Sequence, residues 1–332
     1  MTPEEWRRLP TIAKNRLRAE KHKRRAAERE EQIQRLSEES TKARPPEGSP
    51  IPNWRYLSGG PFFSRSLHPV DLSNLFRGAH CFLVLSGPSL KTMDLSGLRR
   101  RGIMTGGVNN SPAIVRPTIW TYVDPAFKFH DGIWRDPGVL KFVPVQHIHG
   151  CPLKQKVNGT IDWLWRDGKQ GKHVYPADMP SVFGYRRNAS MEVSRFLSEE
   201  TITYGRDKKY GARIGKPRLI SVFACVLKLL YALGIRDVYL LGADFTMSPE
   251  RPYAFEQSKS VGGAVGCNRV FKQLDALCQE LLPTFEEAGY RVWNCTPGSG
   301  LTAFPALDYT SALTLASGNV PQELDTANWY LS

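Results

Sequence analysis

Continuous apolar runs alternate with helix-like segments through most of this chain, and that alternation limits the possible folds most strongly. Apolar runs rich in β-forming residues lie at 81–85, 103–108, 119–124, 139–145, 237–245 and 290–296. Segments with helical periodicity, 219–234 and 267–289, precede the last two runs. Strands that are apolar at nearly every position are typical of parallel sheets covered on both faces. The pattern therefore predicts an α/β fold, a Rossmann-like, doubly wound and mostly parallel sheet.

Small polar residues follow the predicted strands. The clusters are SGPS at 86–89, NNSP at 109–112, DPAF at 124–127, GADF at 242–245 and NCTPGSG at 294–300. The carboxyl ends of parallel strands meet at one edge of the sheet, where doubly wound proteins bind their ligands. We therefore expect these clusters to form one ligand-binding rim.

The N-terminal region differs in composition from the rest. Residues 1–44 are rich in Arg, Lys, Glu and Ala, and RPPEGSPIP at 44–52 would end any helix there. We predict a basic helical arm with a Pro-rich linker over 1–50, a connecting segment over 51–78, a catalytic domain over 79–320 and a tail over 321–332. The range 146–215, hard to interpret, is predicted to be an inserted lid.

The arm has two interpretations. It is either a solvated tail or a basic helix that follows a phosphate backbone. In the second case, the nucleic-acid-binding residues would be Arg16, Arg18, Lys21, Lys23, Arg24 and Arg25.

Charge and hydropathy indicate the class of partner and the compartment. The chain has 45 basic and 32 acidic residues, a net charge of +13, which favours polyanionic partners or substrates. The longest apolar stretch contains Lys228 and is too short to span a membrane. We expect a soluble cytoplasmic protein, in host cytoplasm if a phage encodes it, with no membrane partner. The six cysteines include no CxxC pair and are expected to be free buried thiols.

Several rim motifs occur in an order found elsewhere. GPSL at 87–90 is followed by an Asn-Asn pair, YVDP at 122–125, ALGIRDVYLLGADF at 232–245, PYAF at 252–255 and NCTPGSGLTAF at 294–304. Together they resemble bacterial sialyltransferases that use CMP-sialic acid. They are also similar to the DUF115 group, which includes archaeal hydroxymethylpterin pyrophosphokinases. The resemblance covers about residues 80–305, apart from the middle segment and the arm.

The resemblance implies a sialyltransferase-like variant of the fold that binds a nucleotide-sugar, a UDP- or CMP-sugar, as co-substrate, without metal or other cofactor. The donor-binding positions that it implies are Ser86, Gly87, Pro88, Ser89, Asn109, Asn110, Ser221 and Asn268. The backbone amides of GPSL at 87–90 would suit an anion, because unpaired N–H groups at a helix start attract negative charge.

Two departures from the family concern proton transfer. Asn268 stands where the resemblance places a His that acts as general base, and Asp124 stands where it places an Asn. Asp124 is our first candidate for the base, because it ends a strand and faces the expected cleft. It could equally be a turn residue that caps the next helix. Asp244 is the second candidate, although it could serve only to join loops, and His130 and Glu256 follow.

The segment HIHGC raises the question of a metal. On a strand, His147, His149 and Cys151 would share one face and could bind zinc. Three candidates followed by Pro152 are a weak zinc signature, so no metal site is predicted.

Three functions are compatible with this sequence. The first is a glycosyltransferase that modifies a hydroxyl, with a hydroxymethylated pyrimidine in DNA as the expected acceptor, as in phage DNA modification. The second is a DUF115-like pyrophosphokinase that uses ATP and a divalent metal. The third is a nucleic-acid-binding protein without activity on a transferase fold. The oligomeric state is open as well.

Overall fold

A computed structural model describes most of the chain after the predicted arm. The described residues are 60–157, 160–163, 174–188, 193–203, 205–206, 219–257 and 260–318. The predicted arm and its six basic candidates, Arg16, Arg18, Lys21, Lys23, Arg24 and Arg25, lie outside them, as does the predicted tail.

Strands and helices alternate in the described part. The strands are β1 (Phe62–Phe63), β2 (His80–Val84), β3 (Met104–Val108), β4 (Ile119–Thr121), β5 (Leu140–Pro144), β6 (Lys154–Val157), β7 (Thr160–Trp163), β8 (Val182–Tyr185), β9 (Arg187–Asn188), β10 (Ile202–Thr203), β11 (Gly205–Arg206), β12 (Leu219–Ile220), β13 (Asp237–Leu241) and β14 (Arg291–Asn294). The α-helices are α1 (Asp131–Arg135), α2 (His147–Gly150), α3 (Val222–Ala232), α4 (Val261–Glu287) and α5 (Tyr309–Gly318). Short 3-10 helices include Pro88–Thr92, Ser111–Ala113 and Ala126–Lys128.

Eight strands form one sheet in the order β1-β8-β5-β4-β3-β2-β13-β14. All neighbours are parallel except β1 and β8. The chain builds the sheet outward from β2 through β3, β4, β5 and β8, then returns to the other side of β2 with β13 and β14. The direction of winding therefore reverses between β2 and β13, which makes their carboxyl ends the topological switch point.

Side chains of the central strands alternate between two apolar layers. Cys81 and Leu83 of β2 pack in the layer that contains α3 and α4. Phe82 and Val84 of the same strand pack in the layer that contains Leu313 of α5. Since both faces of the sheet are covered, almost every position of the strand is buried, and the predicted doubly wound α/β fold is confirmed.

Two segments differ from their sequence-based interpretation. The range 146–215, predicted to be an insertion, supplies β8, which pairs in parallel with β5 and belongs to the main sheet. The connecting segment supplies β1, which pairs antiparallel with β8. These two strands are short and contain few of the branched apolar residues that made the other strands recognisable.

The thiols fit the sequence-based expectation in part: all are free, but Cys151 and Cys267 are half-buried and not buried. All six cysteines are free, and Cys81, Cys225, Cys278 and Cys295 are buried. Burial raises the pKa of Cys81 and of Cys225 to about 12, so both thiols stay protonated at neutral pH.

Candidate ligand-binding site at the carboxyl edge of the sheet

The turns after β2 and β13 touch each other at the switch point. The backbone N–H of Ser89 donates to Oδ1 of Asp244 at 3.0 Å, and the Ser89 hydroxyl donates to Oδ2 at 2.7 Å. A Cβ atom on Gly87 would lie 1.8 Å from that Oδ2, so only glycine allows this approach. Asp244, our second candidate base, thus joins two loops with both of its carboxylate oxygens.

The backbone amides of Gly87, Ser89 and Leu90 are hydrogen-bonded inside the protein. Gly87 N donates to the Gly242 carbonyl at 3.0 Å, and Leu90 N donates to the Gly87 carbonyl at 3.3 Å. Ser89 N is bound to Asp244, and Pro88 has no N–H. This corrects the expectation that the amides of GPSL at 87–90 bind an anion: the N–H groups of Gly87, Ser89 and Leu90 have partners in this conformation, and a phosphate there would need other donors. The Ser86 carbonyl also has a partner, the N–H of Ala254 at 3.0 Å.

Asn109 and Asn110 stand at the carboxyl end of β3, next to the end of β2. Asn109 has a positive φ of 51°, a conformation that Asn tolerates better than most residues. Its backbone is held by Thr121, whose carbonyl accepts its N–H at 3.2 Å, and by the Trp120 indole, which donates to its carbonyl at 2.8 Å. The side-chain oxygens of both asparagines are buried and have no hydrogen-bond partner among the described residues. Two buried acceptors are therefore left for a ligand or for water.

A cavity of about 350 Å³ opens beside these two asparagines. Its lining is mostly apolar: Pro112, Ala113, Pro117, Ile133 and Gly132 contribute, together with His130, Arg116 and Asp136. Apolar walls with a small number of polar groups are typical of sites for small organic ligands. His130, the third candidate base, therefore lies at this cavity, and Gln257 reaches it indirectly, accepting from Asn110 Nδ2 at 3.4 Å.

Asp124 lies just beyond β4, the strand next to β3. Its carboxylate is 49% exposed and forms an ion pair with Lys128 at 2.8 Å. The 3-10 helix that follows has no side-chain cap, so Asp124 does not cap it. Of the two predicted aspartates, Asp124 is exposed, whereas Asp244 is half-buried and has both of its oxygens bound by Ser89. Glu256, the weakest candidate, is exposed as well.

Asn268 binds a neighbouring loop. Its Oδ1 accepts from Met247 N at 2.7 Å, and its Nδ2 donates to the Met247 carbonyl at 2.9 Å. This pair of bonds orients the loop that leaves β13. Asn268 therefore has a structural role in this conformation, because it holds the loop in place. Both its amide oxygen and its amide nitrogen are hydrogen-bonded.

Ser221 caps α3, as a residue at a helix start should. Its hydroxyl accepts from Phe223 N at 3.0 Å, and it is 8% exposed. Because α3 leads into the parallel strand β13, its first turn lies at the carboxyl edge of the sheet. The position agrees with the resemblance, although the hydroxyl is already bound.

A group of buried polar atoms at the ends of β4 and β5 was not identified from the sequence. The Tyr122 hydroxyl, Gln146 Oε1 and His147 Nδ1 are buried and lack a partner among the described residues. The rings of Tyr122 and His147 lie 5.6 Å apart. In the sequence, this group is visible only as polar residues within apolar runs. Such residues are common in protein cores and do not by themselves indicate a site.

His147 should be neutral at physiological pH. Burial, and secondarily the charge of Arg187, lowers the pKa of His147 to about 3. Between about pH 6.5 and pH 3 the unfolded chain binds a proton at this residue that the folded chain does not bind. Stability contributed by the neutral imidazole is therefore present above pH 6.5 and is lost as the pH falls.

We expect the free energy of unfolding to fall by roughly 1 kcal/mol per pH unit because of His147 alone, over part of that interval. Urea unfolding of the wild type and of a His147→Gln variant, measured at pH 7, 6 and 5, checks this. The difference between the two proteins should shrink as the pH falls, because Gln does not titrate. A constant difference would show that His147 titrates normally in the folded state.

The three residues of HIHGC do not form a metal site. His147 and His149 lie on the short helix α2 and not on a strand, and His149 Nε2 contacts the Arg65 carbonyl at 2.8 Å. The sulfur of Cys151 accepts from Ala126 N at 3.3 Å. In the part of the chain that the structure describes, no three His, Cys, Asp or Glu residues are grouped to hold a metal ion. The same region contains no helix with the length and hydropathy of a membrane span.

Comparisons with known proteins give a distant structural likeness. No protein-family profile matches the chain, and no curated protein matches it significantly. A MAf glycosyltransferase from Magnetospirillum magneticum AMB-1 is similar in structure, with 13% sequence identity and a TM-score of 0.39. The similarity covers 80% of this chain and 40% of that chain, so this protein spans about two fifths of its length.

Proposed function

We propose that this protein is a glycosyltransferase that binds a nucleotide-sugar at the carboxyl edge of its sheet and transfers the sugar to a hydroxyl group. The observation that carries the proposal is the pair of buried, unpartnered oxygens on Asn109 and Asn110 beside an apolar cavity. A buried acceptor without a partner costs about 1–3 kcal/mol, so such oxygens favour a ligand that brings N–H or O–H donors. Sugars supply O–H donors, and nucleobases supply N–H donors.

The topology supports the same location. The asparagines follow β3, directly beside the switch point between β2 and β13, which is where doubly wound sheets bind nucleotides. The contacts among Gly87, Ser89 and Asp244 hold that edge in one conformation. A fixed edge lowers the entropy lost when a ligand binds.

In the proposed reaction, Asp124 is the general base. Its carboxylate takes the proton from the acceptor hydroxyl, the acceptor oxygen forms a bond to the anomeric carbon, and the bond from that carbon to the nucleotide phosphate breaks. The nucleotide leaves with the electron pair of that bond. Asp244 is not proposed for this role, because both of its oxygens are bound by Ser89. No metal-dependent step is proposed.

The proposed acceptor is a hydroxymethylated pyrimidine in DNA. The net charge of +13 supports a polyanionic substrate. A base within a duplex would have to be flipped out of the helix to reach the edge. Mass analysis of hydroxymethylcytosine- or hydroxymethyluracil-containing DNA after incubation with the protein and a panel of nucleotide-sugars tests the acceptor directly.

Donor binding has its own test. We expect one of UDP-, CMP- or GDP-linked sugars to raise the melting temperature, and ATP to raise it less. The shift should be lost in Asn110→Ala and in Asn109→Gly, which removes the amide and still permits the positive φ. Gln273→Ala, an exposed amide on α4, is the control and should keep the full shift.

Each outcome of the thermal-shift experiment distinguishes between the candidate functions or locates the donor site. A larger shift with ATP and a divalent metal would favour the pyrophosphokinase alternative. Stabilisation by no nucleotide would refute both enzymatic functions and leave a non-enzymatic protein. A shift that survives both asparagine variants would move the donor site away from the cavity.

A further inference from the structure

A row of arginines lies at the opposite, amino-terminal edge of the sheet. Arg77 comes shortly before β2, Arg99, Arg100 and Arg101 come shortly before β3, and Arg236 directly precedes β13. These three strands are neighbours in the sheet, in the order β3-β2-β13, and parallel strands all start at the same edge. With strands about 4.8 Å apart, the five arginines belong to one compact surface, which we call the arginine edge.

The charge of the arginine edge is largely uncompensated. Other arginines nearby are neutralised: Arg116 pairs with Asp136 at 2.6 Å and Arg291 pairs with Asp237 at 2.7 Å. Within the described residues, none of the five arginines of the edge has a carboxylate at ion-pair distance. Asp94 is close enough to Arg100 for the charge of Arg100 to contribute to its lowered pKa, behind the larger effect of hydrogen bonds from Ser96. It offsets at most one of five positive charges.

A pocket lies within this surface. It has a volume of about 510 Å³ and is lined by Arg77, Arg236, Asn74, Gly78 and Gly234. All five lining residues come from two turns, and two of them carry a guanidinium group. No Asp or Glu is among the described residues that line the pocket.

The pocket is rigid because its two turns are packed against each other. Gly234 has a φ of +97°, and a Cβ atom there would lie 2.6 Å from Asn74 Cα. The Arg236 guanidinium is held by its Nη1, which donates to the carbonyls of Tyr231 at 2.9 Å and Ile235 at 3.0 Å. It also stacks 4.1 Å from the centre of the Tyr231 ring. A guanidinium fixed in this way loses little entropy on binding an anion.

We propose that the arginine edge binds the phosphate backbone of a nucleic acid, with one phosphate in the pocket between Arg77 and Arg236. Guanidinium groups bind phosphate oxygens through two parallel hydrogen bonds, which explains a surface built from arginine. Contacts to phosphates do not distinguish one base from another, so binding should be independent of the nucleic-acid sequence. The surface lies at the other end of the strands from Asn109 and Asp124, and it does not depend on the proposed transfer reaction.

The test compares two variants of the full chain that lose the same charge. In the first, Arg77→Gln, Arg100→Gln and Arg101→Gln remove three exposed cations of the arginine edge. In the second, Arg251→Gln, Arg269→Gln and Lys272→Gln remove three exposed cations elsewhere. Binding to a fluorescent DNA duplex of mixed sequence is measured by anisotropy over a range of salt concentrations.

We expect the first variant to bind roughly tenfold or more weakly, and the slope of log K against log salt to fall in magnitude by about 2–3, near 0.9 for each lost phosphate contact. The second variant should change affinity much less. Unchanged binding in the first variant, or an equal loss in both, would overturn the proposal. Arginine-dependent binding to anionic lipid vesicles without binding to DNA would overturn it in favour of a membrane surface.

Donor binding separates this proposal from the proposed function. The thermal shift with the nucleotide-sugar should be the same in wild type and in the first variant, because no residue of the arginine edge lines the cavity beside Asn109. The DNA-binding experiment can therefore contradict the proposal for the arginine edge while the thermal-shift experiment supports donor binding. The opposite pair of results is equally distinguishable.

Discussion

A Gly87→Ala variant is expected to lose about 3 kcal/mol of unfolding free energy and the donor-induced thermal shift. The added Cβ would lie 1.8 Å from Asp244 Oδ2 and 2.5 Å from the Gly242 carbonyl oxygen. Gly87 itself has φ −68° and ψ 149°, which alanine adopts without strain. The entire cost therefore comes from the contact between the turns after β2 and β13, and relieving it would separate them at the switch point.

Urea unfolding and the thermal-shift assay measure the two effects of Gly87→Ala. Gly266→Ala is the matched control, since Gly266 lies within α4 and a Cβ there meets nothing within 4 Å. That control should gain about 0.5–1 kcal/mol, as alanine does over glycine inside a helix. A Gly87→Ala variant as stable as the wild type would show that the two turns are not packed together.

The sheet could be predicted because its central strands are buried on both faces. Runs such as CFLVL (81–85) and DVYLL (237–241) are apolar at almost every position, are only about five residues long and lie next to turn residues, a combination that favours buried strands over buried helices. The clustering of strand ends at one edge followed from parallel pairing alone. The start of α4 could not be predicted, because VGGAVG (261–266) contains three glycines that disfavour a helix. There the Ser260 cap, which accepts from Gly263 N at 3.1 Å, helps to start the helix.

The chemistry of the edge was harder to predict because it depends on contacts between distant residues. Ser89 was expected to contact a donor, and Asp244 was expected either to act as a base or only to join loops. They bind each other across 155 positions of sequence, which agrees with the second expectation for Asp244. Asn268 was predicted to lie at the donor site because it stands where the resemblance places a His that acts as general base. In the structure its amide contacts the backbone of Met247. Local sequence indicates which residue types stand at a strand end. It does not indicate whether their polar atoms are already satisfied.

The buried atoms that lack hydrogen-bond partners reduce the candidate site to fewer residues than the sequence suggested. Of the eight predicted donor-binding residues, Asn109 and Asn110 keep buried acceptors without partners, whereas Ser89, Ser221 and Asn268 already have theirs. Of the two predicted aspartates, Asp124 reaches solvent and Asp244 is bound on both oxygens. The three residues that keep free or solvent-exposed polar atoms, Asn109, Asn110 and Asp124, belong to the ends of β3 and β4. The proposed reaction should therefore depend most on these two strand ends.

An Asp124→Asn variant is expected to lose transfer activity by about 10²–10⁴-fold, the usual contribution of a general base. Asparagine keeps the size of the side chain and cannot accept the proton of the acceptor hydroxyl. The variant should fold normally, because the pair with Lys128 is half exposed and such pairs contribute about 0–1 kcal/mol. The donor-induced thermal shift should also persist, since the proposed donor contacts are those of Asn109 and Asn110.

Asp131→Asn is the matched control for Asp124→Asn. Asp131 forms the same kind of pair four residues apart, with Arg135 at 3.5 Å, and it lies in the neighbouring helix α1. Removing its charge should leave transfer within about twofold of the wild type, because exposed ion pairs carry little energy. Single-turnover rates at saturating donor separate the chemical step from donor binding. Full activity in Asp124→Asn would exclude this residue as the base, and His130 would then be tested next, because it lines the same cavity as the two asparagines.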